Sequence, residues 1–76
     1  MEEDMEFYVI VDKNGLYYAK AQKYEYQYTS DVYKAKFYNT PKGTSSIIDH
    51  ANTYQHKENG HVPLSVKKIV MSIKVE

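Results

Sequence analysis

The chain has no cysteine and no arginine, only three glycines and two prolines, and no extended apolar run. Without cysteine there is no disulfide framework, no thiolate metal site and no cysteine nucleophile. Without arginine it lacks the planar donor fork that suits bidentate contacts to phosphate and guanine, which weighs against sequence-specific nucleic-acid readout. No segment approaches a membrane span or the apolar centre of an export signal, and the acidic start Met1-Glu2-Glu3-Asp4 is the wrong flank for one. No membrane partner is expected.

What is there fits one small domain: 76 residues with zero formal net charge. A compact chain of this mass, 8.9 kDa, exposes roughly 4,800 Å² and folds with a thin stability margin. Leu, Ile, Val and Phe make up only 16 of the 76 residues, near the lower limit for a packed core, but the balanced charge keeps the composition out of the disordered class. Nine tyrosines among eleven aromatics make up the shortfall with apolar rings that carry a polar tip. Lysine as the only strong base, with abundant Tyr, Ile and Asn, reads as coding from an AT-rich genome, such as a low-GC bacterium or its phages.

Along the chain, residues 1–5 read as a loose acidic end and residues 6–76 as a single α+β domain. Phe7, Val9 and Val11 alternate with Tyr8, Ile10 and Asp12, the period of a strand, and both sets are apolar enough for its two faces to be covered. Asn14-Gly15 marks a hairpin turn. The return strand is expected from Leu16 to about Tyr28, with a bulge near Gln22 or Lys23 that switches its faces. Thr29-Ser30-Asp31 reads as a capping cluster for a short helical turn at Val32–Ala35, and Lys36-Phe37-Tyr38-Asn39 as a short extended segment, a third strand or a strand-like connector. Thr40-Pro41 opens the main helix, with Thr44 or Ser45 as the alternative start of its regular part because of Gly43; its stripe is Ile47, Ile48, Ala51, Tyr54 and Gln55, and its end is expected at Asn59-Gly60. Ile69, Met71, Ile73 and Val75 alternate in a last strand that should pair with the first. The expected architecture is an antiparallel-rich sheet of three to four strands with one main helix packed on one face. Its expected core is Phe7, Val9, Val11, Phe37, Ile47, Ile48, Ala51, Tyr54, Ile69, Met71 and Ile73.

Signs of chemistry are weak. His50 and His56 are six apart, off the three- or four-residue spacing of helical metal ligands, and His61 lies beyond the helix, so all three read as solvent-facing. Asp12 reads as a turn residue and Glu58 as one of the scattered acids; no carboxylate pair has the arrangement of an acid–base couple. Ser45 and Ser46 lack a nucleophile-elbow context and read as first-turn residues. Gly43-Thr44-Ser45 could cradle an anion at a helix start, but no P-loop pattern surrounds it. The expectation is no catalytic residue, no metal and no cofactor.

Charge distribution says more. Residues 1–12 hold five acids and no base, whereas residues 13–42 hold six lysines against Glu25 and Asp31, together with seven tyrosines. Tyrosine at low entropic cost suits a protein-binding surface. Lysine interleaved with aromatics also suits single-stranded nucleic acid, and the plainest account is that strands favour tyrosine and solvated edges favour lysine. The candidate contact face is the segment 17–38, with Lys23, Tyr24, Tyr26 and Tyr28 as its named residues.

Phe7-Tyr8-Val9-Ile10, then Asn14-Gly15-Leu16-Tyr17-Tyr18, then Thr29-Ser30-Asp31 and Lys34-Ala35-Lys36-Phe37-Tyr38-Asn39-Thr40 give the chain a resemblance to small phage and prophage accessory proteins. These proteins open with a similar hairpin and place a helix next. The resemblance covers roughly residues 7–55, and its motifs are structural: a turn, a cap, a core aromatic. Lys42-Gly43-Thr44-Ser45-Ser46 departs from the Glu- and Ala-rich helix start usual in that class. The resemblance implies lineage more than activity. It leads to the expectation of a non-enzymatic protein in the cytoplasm of a bacterial host that binds and inhibits a host defence protein, as anti-CRISPR proteins do. The alternative is a single-stranded nucleic-acid-binding accessory protein using the same face, and a second copy of the chain, joined through an uncovered sheet edge, is another candidate partner.

Overall fold

A computed structural model describes residues 2–22, 25–54 and 58–74. Four antiparallel strands form one sheet: β1 (Glu2–Val11), β2 (Tyr17–Gln22), β3 (Glu25–Thr29) and β4 (Ser65–Lys74), in the order β3-β2-β1-β4. Between β3 and β4 lie a 3₁₀ turn at Val32–Lys34, a second at Pro41–Thr44, and the helix α1 (Ser45–Thr53) that continues from it. The molecule is a small α+β fold, as the alternation and capping signals predict.

Local signals act where the sequence places them. Gly15 takes φ +86° in the β1–β2 turn, a backbone conformation that costs other residues free energy. Asp31 accepts from the Tyr33 amide at 3.0 Å, and Thr40 accepts from the Gly43 amide at 3.3 Å with Pro41 in the first helical position. The helix is shorter than expected: it ends at Thr53, before Asn59-Gly60. Tyr8 exchanges both backbone hydrogen bonds with Tyr38 at 2.8 Å, so the extended segment at 36–39 contributes a single bridge rather than a strand.

Three expectations are corrected. The long return strand is two strands, with Gln22 opposite Glu25; its face-switching bulge exists but lies between Tyr18 and Lys20. Residues 2–5 are not a loose end. They form the first half of β1, with Glu2 opposite Lys74 and Asp4 opposite Ser72, so a strand rich in acids meets a strand whose charged residues are Lys67, Lys68 and Lys74. The third correction concerns the core.

Residues directly opposite in an antiparallel pair share a face. Ile10 therefore faces α1, in a cluster with Tyr18, Ala51 and Leu64, joined by Tyr26, Tyr28, Tyr38, Ile47, Ile48 and Val62. The alternate set, Met5, Phe7, Val9 and Val11, lies on the other face with Ile69 and Met71. There Phe37 packs on Phe7 at 5.4 Å between ring centroids. Val9 and Ile10 are both fully buried, so β1 is covered on both sides at this level. The expected core thus combined residues from the two faces and missed Ile10, Tyr18 and Leu64. It also included Tyr54 and Ile73, which are 56% and 40% exposed.

Beyond the helix, β1 and β4 continue as a two-stranded arm. The molecule measures 48 × 22 × 21 Å and exposes 5432 Å², more than the roughly 4,800 Å² of a compact chain of its mass. The arm accounts for the elongation, because ten paired residues span roughly 33 Å.

Candidate interaction surface

Two regions bring functional side chains together. The first is a polar cluster where the β1–β2 turn, β3 and the loop before β4 meet. One oxygen of Asp12 accepts from the Asn14 and Leu16 amides, each at 2.8 Å; the other lies 2.7 Å from Nδ1 of His61. The His61 ring stacks on Tyr28 with centroids 3.9 Å apart and planes 13° from parallel. The Tyr28 hydroxyl donates to Glu58 at 2.6 Å, and the second oxygen of Glu58 accepts from the Tyr26 amide at 2.9 Å. Asn14 and Lys13 reach the same loop through the carbonyls of Gly60 and His61. Asp12 and Glu58 are 5% and 4% exposed, so these carboxylates are structural partners rather than solvated acids.

Burial and hydrogen bonding act on Asp12 and on the tyrosines around it. Burial alone would raise the Asp12 carboxyl, but the hydrogen bonds from His61, Leu16 and Asn14 together outweigh it and hold the group below its usual range. Burial, reinforced by the Glu58 carboxylate that accepts its proton, pushes the Tyr28 hydroxyl up. Burial also raises Tyr18, Tyr26 and Tyr38. His61 has a carboxylate as its hydrogen-bond partner and a tyrosine ring against its face, so the expectation that it faces solvent is corrected. His50 is exposed, with its ring 4.9 Å from that of Tyr54; His56 lies outside the described residues. Among the described residues no group of His, Asp or Glu could hold a metal ion.

Lys23 and Tyr24 lie outside the described residues. Tyr26 and Tyr28 are half-buried and turned toward α1, with Tyr18 edge-on to both at 5.3 and 6.5 Å. Tyr33, by contrast, is 79% exposed. Lysines already lie over two other rings of the segment: Lys36 is 5.7 Å from the centre of Tyr38 and Lys67 is 5.9 Å from that of Tyr17. Tyr26 and Tyr28 are two apart on β3 and so share the face on which Tyr18 stands opposite Tyr28; the bulge in β2 places the small Ala21, rather than Lys20, opposite Tyr26 on that face.

The second region is the arm, which sequence reasoning missed because residues 1–5 read as unstructured. Met5, Val70 and Ile73 are 42%, 55% and 40% exposed on it. Met5 and Ile73 share one face with Met71 and Ile69; Val70 lies on the other with Glu6 and Lys68. Across that second face Lys68 Nζ contacts Glu6 at 3.0 Å, and the Ser72 hydroxyl donates to Asp4 at 3.0 Å. The hydrogen bond to Glu6 and its charge push the Lys68 ammonium up.

The arm's backbone is also open. Tyr8 directs its N–H and C=O toward Tyr38 and away from β4, and these directions alternate along a strand. The odd-numbered residues of β1 therefore pair with β4, through Met5–Met71, Phe7–Ile69 and Val9–Lys67. On β4 the even-numbered residues, from Val66 to Lys74, point their N–H and C=O groups outward along a sheet edge. The signal was present in the sequence as two complementary blocks, acids at 2–6 and lysines at 67–74.

No protein-family model, curated protein or solved structure matches this chain. Among the described residues no helix is long and apolar enough to cross a membrane.

Proposed function

We propose that this protein is a non-enzymatic accessory protein that works by binding another macromolecule, and that it is phage-encoded and inhibits a bacterial defence protein in the host cytoplasm by direct contact. The observation that carries the binding reading is the arm. A two-stranded ribbon projecting past its own helix, with apolar side chains on both faces and an open backbone edge, contributes little to the core that Ile10, Tyr18 and Leu64 build. Exposed apolar side chains grouped on a projection are characteristic of contact surfaces. One standard interface needs about 800 Å² from each partner, an area the arm and its neighbouring sheet face supply. The phage and anti-defence part of the reading rests on the lysine-only, AT-rich composition and on the resemblance of residues 7–55.

Protein is favoured over single-stranded nucleic acid as the partner. Stacking platforms need free ring faces, and Tyr18, Tyr26 and Tyr28 turn theirs inward while Tyr17 and Tyr38 hold lysines over theirs. The test is affinity capture from a low-GC bacterial lysate with three baits: the unmodified protein, a Met5→Thr/Ile73→Thr arm variant, and a Lys23→Ala/Tyr24→Ala variant. The reading expects one host protein held in fixed stoichiometry and released by the arm variant, whose fold is retained. Release only by the second variant moves the contact to the tyrosine segment. Steeply salt-dependent binding to single-stranded DNA or RNA, with no protein captured, overturns the reading in favour of nucleic acid.

A further inference from the structure

Of the three lysines of β4, Lys67 stands opposite Val9 and lies over Tyr17, while Lys68 and Lys74 have acids of β1 beside them on one side only. Along its inner edge β4 faces β1, whose acids stand opposite or diagonal to its polar and basic positions: Glu2 opposite Lys74, Asp4 bonded to Ser72, Glu6 bonded to Lys68. Along its outer edge the same side chains stand beside main-chain groups with no neighbouring strand among the described residues. β1 is thus a template, built into the molecule, for the kind of strand that β4 accepts.

Resting on the binding reading above, we infer that the outer edge of β4 takes up an extended, acidic segment of a partner protein as a fifth, antiparallel strand. The outward N–H and C=O groups of Val66, Lys68, Val70, Ser72 and Lys74 supply the ladder. Main-chain bonds of this type give affinity, and the alternate side chains give selectivity. Lys68, Val70, Ser72 and Lys74 share one face, where acidic side chains of the incoming strand are neutralised. Ile69, Met71 and Ile73 share the other, where apolar side chains extend the existing stripe. The segment that fits alternates acidic and apolar residues.

The same charges argue against a second copy of the chain as the occupant. Two β4 edges placed side by side bring lysines against lysines, a common device for keeping sheet edges apart. Joining β4 of one molecule to the acidic free edge of β1 in the next has no closing symmetry and produces an open chain of molecules.

The probe is a synthetic, end-blocked peptide alternating Glu and Val over about eight residues, with a Lys–Val peptide of equal length as its counterpart. Binding is read by fluorescence anisotropy at low salt, and amide hydrogen exchange is followed in the unmodified protein. The Glu–Val peptide is expected to bind and to slow exchange at Lys68, Val70 and Ser72, while Ile69 and Met71, already bonded to β1, change little. Lys68→Gln with Lys74→Gln should weaken binding roughly tenfold, by removing the charges that face the acids. Val70→Pro should abolish it, because it deletes an outward N–H that β1 does not use.

Equal binding of the Lys–Val peptide overturns the inference, as does unchanged exchange at the three outward amides with peptide at millimolar concentration. Protection of those amides on concentrating the protein alone overturns it in favour of a second copy. If a host protein is captured through the arm while these amides still exchange freely in the complex, this inference fails and the binding reading stands. If the peptide binds but no host protein is captured, the edge keeps its chemistry and the binding reading fails.

Discussion

The Tyr28 hydroxyl donates to one oxygen of Glu58 at 2.6 Å while the Tyr26 amide donates to the other at 2.9 Å. Glu58 thereby closes the loop before β4 onto the middle of β3, and at 4% exposure it has little access to water if either donor is lost. Tyr28→Phe should destabilise the fold by about 1–3 kcal/mol, the usual cost of leaving a buried acceptor unpaired. Urea unfolding of the two proteins measures it. A change near zero would mean that water reaches Glu58 in solution.

The Asp12–His61 contact predicts an acid-sensitive fold. The Asp12 carboxyl sits below its usual range in the folded chain. Its stabilisation is therefore complete above the pKa of the unfolded chain and is lost as pH falls through the lower, folded value. Melting temperature should drop below about pH 4, and Asp12→Asn should flatten that limb of the profile. Parallel pH profiles for the two proteins would refute this assignment.

Two glycine substitutions separate backbone strain from packing. A methyl group at either Gly15 or Gly60 meets nothing within 4 Å, but only Gly15 has a positive φ. Gly15→Ala should cost roughly 1–2 kcal/mol from backbone strain alone. Gly60→Ala should be neutral or slightly stabilising, since it restricts the unfolded chain. Denaturant midpoints of the pair, compared at constant slope, decide it.

The two-faced core makes a further contrast. Ile10 is fully buried against α1, whereas Tyr54 is 56% exposed at the helix end. Ile10→Ala should cost about 2–5 kcal/mol, and Tyr54→Ala should change stability by less than about 0.5 kcal/mol. Equal losses would place Tyr54 in the core after all.

How much of this was legible in the residues depends on how local each cause is. The Asn14-Gly15 turn, the Thr29-Ser30-Asp31 cap cluster and the Thr40-Pro41 start are decided within a few positions and appear where the pattern puts them, with Asp31 as the capping residue and a 3₁₀ turn at Pro41–Thr44 leading into the α-helix at Ser45. The β2–β3 reversal is harder to read because the sequence between Gln22 and Glu25 has no glycine, proline or asparagine, while Tyr18, Tyr24, Tyr26 and Tyr28 keep one parity across it. The bulge after Tyr18 then puts Ala21 instead of Lys20 on the face of the inward tyrosines. Glu58 reads as a surface acid because its two donors, Tyr26 and Tyr28, lie some thirty positions earlier.

The acidic beginning of the chain is the clearest case of a distant cause. Taken alone, Glu2, Glu3 and Asp4 repel one another. Placed beside Lys74, Ile73 and Ser72 they become half of a ladder. Local charge counting therefore predicted fraying where pairing occurs, and the same complementarity was available only by comparing the two ends.

Because the partner of β1 lies roughly fifty to seventy positions further along at every rung, the central strand of the sheet cannot be completed from its own neighbourhood. Assembly has to wait for a long loop to close, and proteins dominated by such remote pairings fold slowly for their size. Until then the border of β1 that β4 will cover is unpaired, and like charges on Glu3, Asp4 and Glu6 oppose the approach of a second copy along it.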